Sequence, residues 1–458
     1  MSDERNEPDL LVIGGGTAGM AAARVAARGG AHVVLVTDSP PGGDCTFTGC
    51  VPSKTLIAAA AAGRSYADAT ARVQAAVERV AATETADVLR SKGIDVRMGS
   101  AAFTAPRVVD VDGTVLRPAR IVVASGSGPS IPPIDGLADT PYLTNESIFD
   151  LAVLPRQLVV LGGGAIGCEL AQAFRRLGSE VTLVEGADRL LGKEEPRAST
   201  VVQAALETDG VVVRTGVSVV RVDPVQEGIR LTLDGGSTIS ASTLLVAVGR
   251  RPLTDRLQLD RAGIEVGKDG RVVTDARLRT TAQDVWAAGD VTGLLPFTHA
   301  ADVMGRLAGG NAMDKGRGGR FSTTGIPWVT FTDPEVGRVG LTEAQAAEQV
   351  KGARVVELAM DDVDRAITAG RTEGFVKIVV GPQPLLGNTA GGRVLGATVV
   401  CPSGGELVAE VALAIRTRMF AGRLAQTTHA YPTWSLAVQQ CAAQLFGYGG
   451  SPPRPAQA

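Results

Sequence analysis

Histidine and cysteine are scarce in this chain, with three and five residues among 458. Five cysteines are too few for the disulfide framework of a secreted protein, and in a reducing compartment a close pair is more often catalytic than structural. Only Cys45 and Cys50 lie close in sequence. No apolar stretch reaches the roughly 18 to 20 residues that span a bilayer. The N-terminal MSDERNEPDL is polar and acidic, so the chain is expected to be cytoplasmic, with no membrane partner. An excess of one charge is also missing: 45 Lys and Arg face 48 Asp and Glu, without runs of like sign. That argues against a nucleic-acid surface and for a small-molecule substrate.

A chain of this length is expected to form two to four domains. Two segments resemble each other, LLVIGGGTAGMAAARVAARGGAHVVLV from Leu10 and LVVLGGGAIGCELAQAFRRLGSEVTLV from Leu158. Each reads as a buried parallel strand, a glycine turn, a helix of small and apolar residues, and a second strand. Two dinucleotide folds follow. The Ala-rich region from Val51 to Arg90 reads as helices that serve as scaffold. Beyond Phe321, apolar runs such as WVTF, GFVKIVV and VLGATVV precede the helical ELVAEVALAIRTRM, the pattern of a separate α+β domain. Residues 448–458, rich in Gly and Pro, are expected to be a disordered tail.

In the first unit Gly14, Gly16 and Gly19 form G-x-G-x-x-G, where missing side chains permit a tight turn and admit a pyrophosphate to a helix N-terminus. Alone the motif is weak. Here it follows a strand, opens a helix and recurs as Gly162, Gly164 and Gly167. The acid expected to hold a ribose hydroxyl falls by spacing on Thr37, and the role is assigned to the adjacent Asp38. In the repeat it falls on Glu185, which would bond a free 2′-hydroxyl and repel a 2′-phosphate, so NADH is expected over NADPH. Arg189, nearby, would soften this preference if it faced the site, but reads rather as a solvated surface arginine. In GGDCTFTGCVPSK, Cys45 and Cys50 stand five residues apart, roughly 8 to 9 Å along an ideal helix and too far to bridge. The turn between them must be irregular, as Gly49 and Pro52 permit. A thiolate there would gain from a helix dipole and from Lys54.

With these motifs the sequence resembles the pyridine nucleotide-disulfide oxidoreductases, the family of dihydrolipoamide dehydrogenase, glutathione reductase and mercuric reductase. The resemblance runs over nearly the whole chain and includes VASGS at Val123, AVGRRP at Ala247, DVWAAGD at Asp284 and WVTFTDPEVGRVG at Trp328. It implies that Cys50 sits against a flavin as the charge-transfer thiol while Cys45 exchanges with substrate. Lys54 would pair with Glu169 near the flavin N5, and Asp290, after Gly289, would bond the ribityl chain. Backbone at Ala101 and Thr298 would touch the cofactor, as would Gly43, Gly126 and Gly249 in the matching segments.

At the C-terminal motif the chain departs from the family. Disulfide reductases of the family have His-Pro-[Thr/Ser] followed by Glu, the imidazole serving as acid and base. Here the segment is HAYPTWSL, with Tyr431 in the histidine place and Leu436 in the glutamate place. Mercuric reductases also carry tyrosine there but add a C-terminal cysteine pair, which this tail does not contain. Cys441 is alone, is expected to be a buried helix residue, and no metal site is expected. His429, two residues from Tyr431 in an extended stretch before Pro432, would share its face and offer a substitute acid, or else be structural.

The expected fold is therefore α/β, with two Rossmann-like dinucleotide-binding domains for FAD and NAD and a C-terminal α+β dimerisation domain. The FAD domain is placed at 1–150 and 271–320, the NAD domain at 151–270 and the dimerisation domain at 321–447. The resemblance implies a homodimer whose active site is shared across the interface. Electrons would pass from NADH through FAD and the cysteine pair to a metal ion, a quinone or a small oxidised sulfur compound. The rivals are a true disulfide reductase, a quinone reductase or transhydrogenase with incidental cysteines, and a non-catalytic redox sensor.

Overall fold

The computed structural model describes residues 6–226, 228–314, 318–383, 385, 387–449 and 452–457. The chain divides into two compact units. The first is Met1–Pro132, Leu143–Val153 and Val248–Ser322; the second is Pro133–Tyr142, Leu154–Ala247 and Thr323–Ala458.

The first unit is built on a parallel sheet in the order Val285–Ala287, Ile121–Val123, Leu10–Ile13, Val33–Thr37 and Ile94–Met98. Val33–Thr37, Leu10–Ile13 and Ile121–Val123 are wholly buried strands, as their continuous Val, Leu and Ile require when both faces of a parallel sheet are covered. The helix Thr17–Arg28 follows the first strand, and Thr298–Met313 packs along it. The Ala-rich stretch forms the helices Cys50–Ala61, Tyr66–Ala81 and Ala86–Arg90, the last two capped by Ser65 and Thr85 side chains.

The second unit holds another parallel sheet, Val212–Thr215, Glu180–Glu185, Gln157–Leu161 and Thr243–Val246, beside an antiparallel meander of Val219–Val225, Gly228–Leu233 and Thr238–Ala241. Its C-terminal part is an antiparallel sheet ordered Pro327–Thr330, Glu335–Gly340, Arg393–Cys401, Phe375–Gly381, Arg354–Ala359 and Arg454–Pro455. The helices Gly404–Arg416 and Leu436–Ala443 cover it around a core that includes Val376, Ile378, Val399, Val411 and Val438.

Two expectations are corrected. The chain re-enters the first unit at Val248 rather than at residue 271, because Arg250–Pro252 pairs with Ser127–Pro129 and the Leu257 carbonyl accepts the Phe103 amide. The tail is not disordered throughout: Arg454–Pro455 adds a strand to Arg354–Ala359, held by Arg454 against Glu343. Residues 450, 451 and 458 of that expectation lie outside the described residues.

Candidate redox site and nucleotide cradles

The two glycine loops repeat each other in detail. A Cβ on Gly19 would stand 1.8 Å from the Gly14 carbonyl oxygen, and one on Gly167 1.8 Å from that of Gly162, so each helix crosses its strand too closely for a side chain. Gly16 and Gly164 cap their helices in extended conformation with no side-chain bond to the free amides. A Cβ on Gly164 would meet nothing within 4 Å, and one on Gly16 only the Gly43 Cα at 3.9 Å. Each loop therefore offers uncapped amides and open space at the positive end of a twelve-residue helix, the fit a dinucleotide diphosphate requires.

At the ends of the second strands the loops diverge. Glu185 lies over Gly163 and accepts its amide at 2.6 Å. The matching place over Gly15 belongs to Thr37, whose hydroxyl donates to the Ser39 carbonyl at 2.8 Å. Thr37 thus occupies the strand-end position that the spacing named, and Asp38 is the exposed residue after it. Arg189 is bonded to Ser199 Oγ at 2.7 Å and to the Gly192 and Leu191 carbonyls at 2.7 and 3.3 Å.

The redox segment breaks as its spacing demands. Cys45 lies in the short helix Gly43–Phe47, and Cys50 opens the helix Cys50–Ala61. Between them Gly49 packs so tightly on the first helix that a Cβ would sit 2.8 Å from the Asp44 carbonyl oxygen. The two cysteines are not bridged, Cys45 being half-buried and Cys50 exposed. The Cys50 Sγ lies 3.4 Å from the Thr298 Oγ1, the first residue of another helix. Bonding to Cys50, then burial, pushes the Cys45 thiol up. The Cys50 sulfur lies where two helix N-termini meet, the setting that favours a thiolate. Lys54, one turn on, lines a cleft of about 540 Å³ with Cys50, Arg64 and Arg72.

Other expected residues of this unit gather around the same segment. Gly43 packs on Gly16, the two Cα regions touching. Gly126 and Gly249 flank the ribbon Ser127–Pro129 with Arg250–Pro252, both at positive φ. Asp290 follows Gly289, accepts from Ser127 Oγ at 2.6 Å, and has its carboxyl pushed up by burial. Ala101 starts a strand of a separate antiparallel sheet, with its side chain in the core.

Glu169, buried in the second unit, accepts the Phe331 amide at 2.8 Å. The C-terminal candidates are also in that unit, and both are engaged. Tyr431 is exposed and donates to Asp364 Oδ2 at 2.9 Å; that carboxylate raises its phenol. His429 places Nδ1 2.9 Å from the Thr427 carbonyl and Nε2 3.0 Å from Glu410 Oε2. Burial alone would lower its pKa, but Glu410 and Thr427 hold it above the usual value. A carbonyl and a carboxylate only accept, so both ring nitrogens face acceptors, an arrangement that favours the protonated ring. Glu410, nineteen residues earlier on the helix Gly404–Arg416, was not found from the sequence, where the expected partner position was Leu436. Cys441 is fully buried, as expected.

Two diphosphate cradles and a helix-terminal cysteine pair are the features of the flavoprotein disulfide oxidoreductases. Residues 8–305 match the pyridine nucleotide-disulphide oxidoreductase family and 326–442 its dimerisation domain. The chain belongs to that family, whose members use FAD and NAD(P)H. It is 37% identical to a mercuric reductase of Streptomyces lividans over 96% of each chain. A dihydrolipoyl dehydrogenase of Thermus scotoductus is 34% identical, over 95% of this chain and 97% of that one. Among solved structures, the Cu(II) complex of the HOCl-induced flavoprotein disulfide reductase RclA from Escherichia coli superposes with a TM-score of 0.88 at 29% identity, covering 96% and 99%. Among the described residues no helix is long and apolar enough to cross a membrane.

Proposed function

We propose that the protein is an FAD-dependent NADH oxidoreductase that delivers electron pairs through Cys45 and Cys50 to soft metal ions or quinones, acting as a homodimer. The loops of Gly14–Gly19 and Gly162–Gly167 would hold FAD and the nicotinamide dinucleotide, and the bound flavin would supply two-electron transfer between nicotinamide and the Cys45, Cys50 disulfide. Reduction gives two thiols; the pair then leaves for the acceptor and the disulfide re-forms. Cys50 carries the thiolate, Cys45 meets the acceptor, and Lys54 lines the cleft beside Cys50.

The observation that carries the acceptor class is the engagement of both C-terminal proton candidates. The Tyr431 hydroxyl is given to Asp364 and both His429 nitrogens are given to Glu410 and Thr427. Both groups are bonded to acceptors of their own unit rather than left for a departing thiolate, whose protonation a disulfide substrate needs and a metal ion does not. The likeness to a mercuric reductase and to a reductase solved with Cu(II) runs the same way. Anaerobic NADH oxidation is to be compared with Hg(II), Cu(II), a quinone, lipoamide and glutathione disulfide as acceptors. Turnover led by the metal ions or the quinone is expected; turnover led by lipoamide would return the reading to a dihydrolipoamide dehydrogenase.

A further inference from the structure

Asp44 and Asp290 bring two carboxylates to the place where the first cradle opens. Gly42 bridges to Gly16, and its amide donates to the Gly15 carbonyl at 3.0 Å. Gly43 rests on Gly16 as well, so Asp44 is one residue from the uncapped helix end that fits a diphosphate. A dianion at that end is repelled by both acids unless a cation stands between them.

Arg250 stands there. Its Nη2 is 2.9 Å from Asp44 Oδ2 and its Nε 3.9 Å from Asp290 Oδ2. The guanidinium is fixed by Ser127, with Nε donating to Oγ at 2.9 Å and Nη2 to the carbonyl at 2.7 Å, while the same Ser127 hydroxyl donates to Asp290. Asp44 is further held by Asn145 Nδ2 at 3.2 Å and by the Thr48 hydroxyl. We infer that Arg250 is a positioning residue that neutralises Asp44 and Asp290, so that the diphosphate of FAD is tolerated beside the redox segment.

This rests on the FAD reading above. FAD release from the holoenzyme, followed as gain of flavin fluorescence on serial dilution, tests it. Arg250→Gln should weaken FAD binding on the order of tenfold, as expected for breaking a half-buried ion pair, and Arg250→Lys should retain most of the affinity. Adding Asp44→Asn to Arg250→Gln should recover it, because the uncompensated charge is gone. Binding by Arg250→Gln equal to wild type, or no recovery in the double variant, would overturn the inference and leave the FAD reading standing. Wild-type protein without FAD would overturn both. Should Arg250→Gln not fold, Asp44→Asn alone decides: it should hold FAD at least as tightly as wild type, and weaker binding rejects the role.

Discussion

Glu185 accepts the Gly163 amide at 2.6 Å and the Ala187 amide at 2.8 Å, so its carboxylate is fixed over the middle glycine of the second cradle. A 2′-phosphate brought to that strand end meets a charge that cannot swing aside. Arg189, the one cation considered as relief, is spent on Ser199, Leu191 and Gly192. Wild-type kcat/KM is expected to favour NADH on the order of tenfold or more, and Glu185→Arg to narrow or reverse the ratio. Steady-state kinetics with both nucleotides decide it; a wild-type preference for NADPH would reject the assignment.

The cysteine pair has its own signature. Flavin and disulfide each hold one electron pair, so anaerobic titration should consume two equivalents of NADH per FAD. Cys50→Ser should abolish the long-wavelength thiolate-to-flavin band, whereas Cys45→Ser should retain or deepen it, since Cys50 can then form no disulfide. Full acceptor turnover in both variants would make the cysteines bystanders.

His429 should matter to stability more than to turnover. Its pKa is raised in the folded protein, so its contribution is complete below the unfolded value, near 6.5, and is lost as pH rises through the folded one. Denaturant unfolding of wild type and His429→Gln should differ most at pH 6 and converge at pH 9. A selective loss of turnover with proton-requiring acceptors would instead make His429 the substitute acid.

Weak activity toward glutathione disulfide and lipoamide is expected, with a deficit within the 10²- to 10⁴-fold that general catalysis typically contributes, taken as on the order of hundredfold. Tyr431→His should raise it modestly, because Leu436 offers the new ring no carboxylate. Efficient lipoamide turnover by wild type would sink the argument from the motif.

Lys377 binds three carboxylates at once, Glu195 at 3.0 Å, Glu343 at 2.8 Å and Glu357 at 3.3 Å, with its own side chain buried. Burial alone would raise Glu343, but Arg454 and Lys377 hold it down to about 2. Its contribution is therefore present above the ordinary carboxylate range and is lost only as pH falls toward about 2. Lys377→Met leaves buried acids uncompensated and should cost about 3 kcal/mol or more, read as a lowered denaturant midpoint. An unchanged midpoint at pH 7 would show the cluster to be neutral in balance.

The parts of the protein that read most clearly from sequence are those encoded locally. Gly14 to Gly19 and Gly162 to Gly167 announce their turns because each loop's constraints lie within a few residues, and the break between Cys45 and Cys50 follows from their separation alone. What stayed hidden depends on partners distant in the chain. Arg250 reaches Asp44 and Ser127 across long loops, and Glu410 reaches His429 from a neighbouring helix. The misplaced boundary at residue 271 has the same origin, since only strand pairing with Ser127–Pro129 shows where the chain comes back. At the end of the second strand the spacing names Thr37, and the fold places that same residue over Gly15.

The strand Arg454–Pro455 closes the outer edge of the C-terminal sheet. Without it, the Arg354 and Val355 end of that strand would present unpaired amides and carbonyls, the arrangement that recruits a strand from another molecule. The short tail thus works as a hem, and a chain cut after Gly449 should be prone to fibrous self-association on warming even where its flavin chemistry is intact.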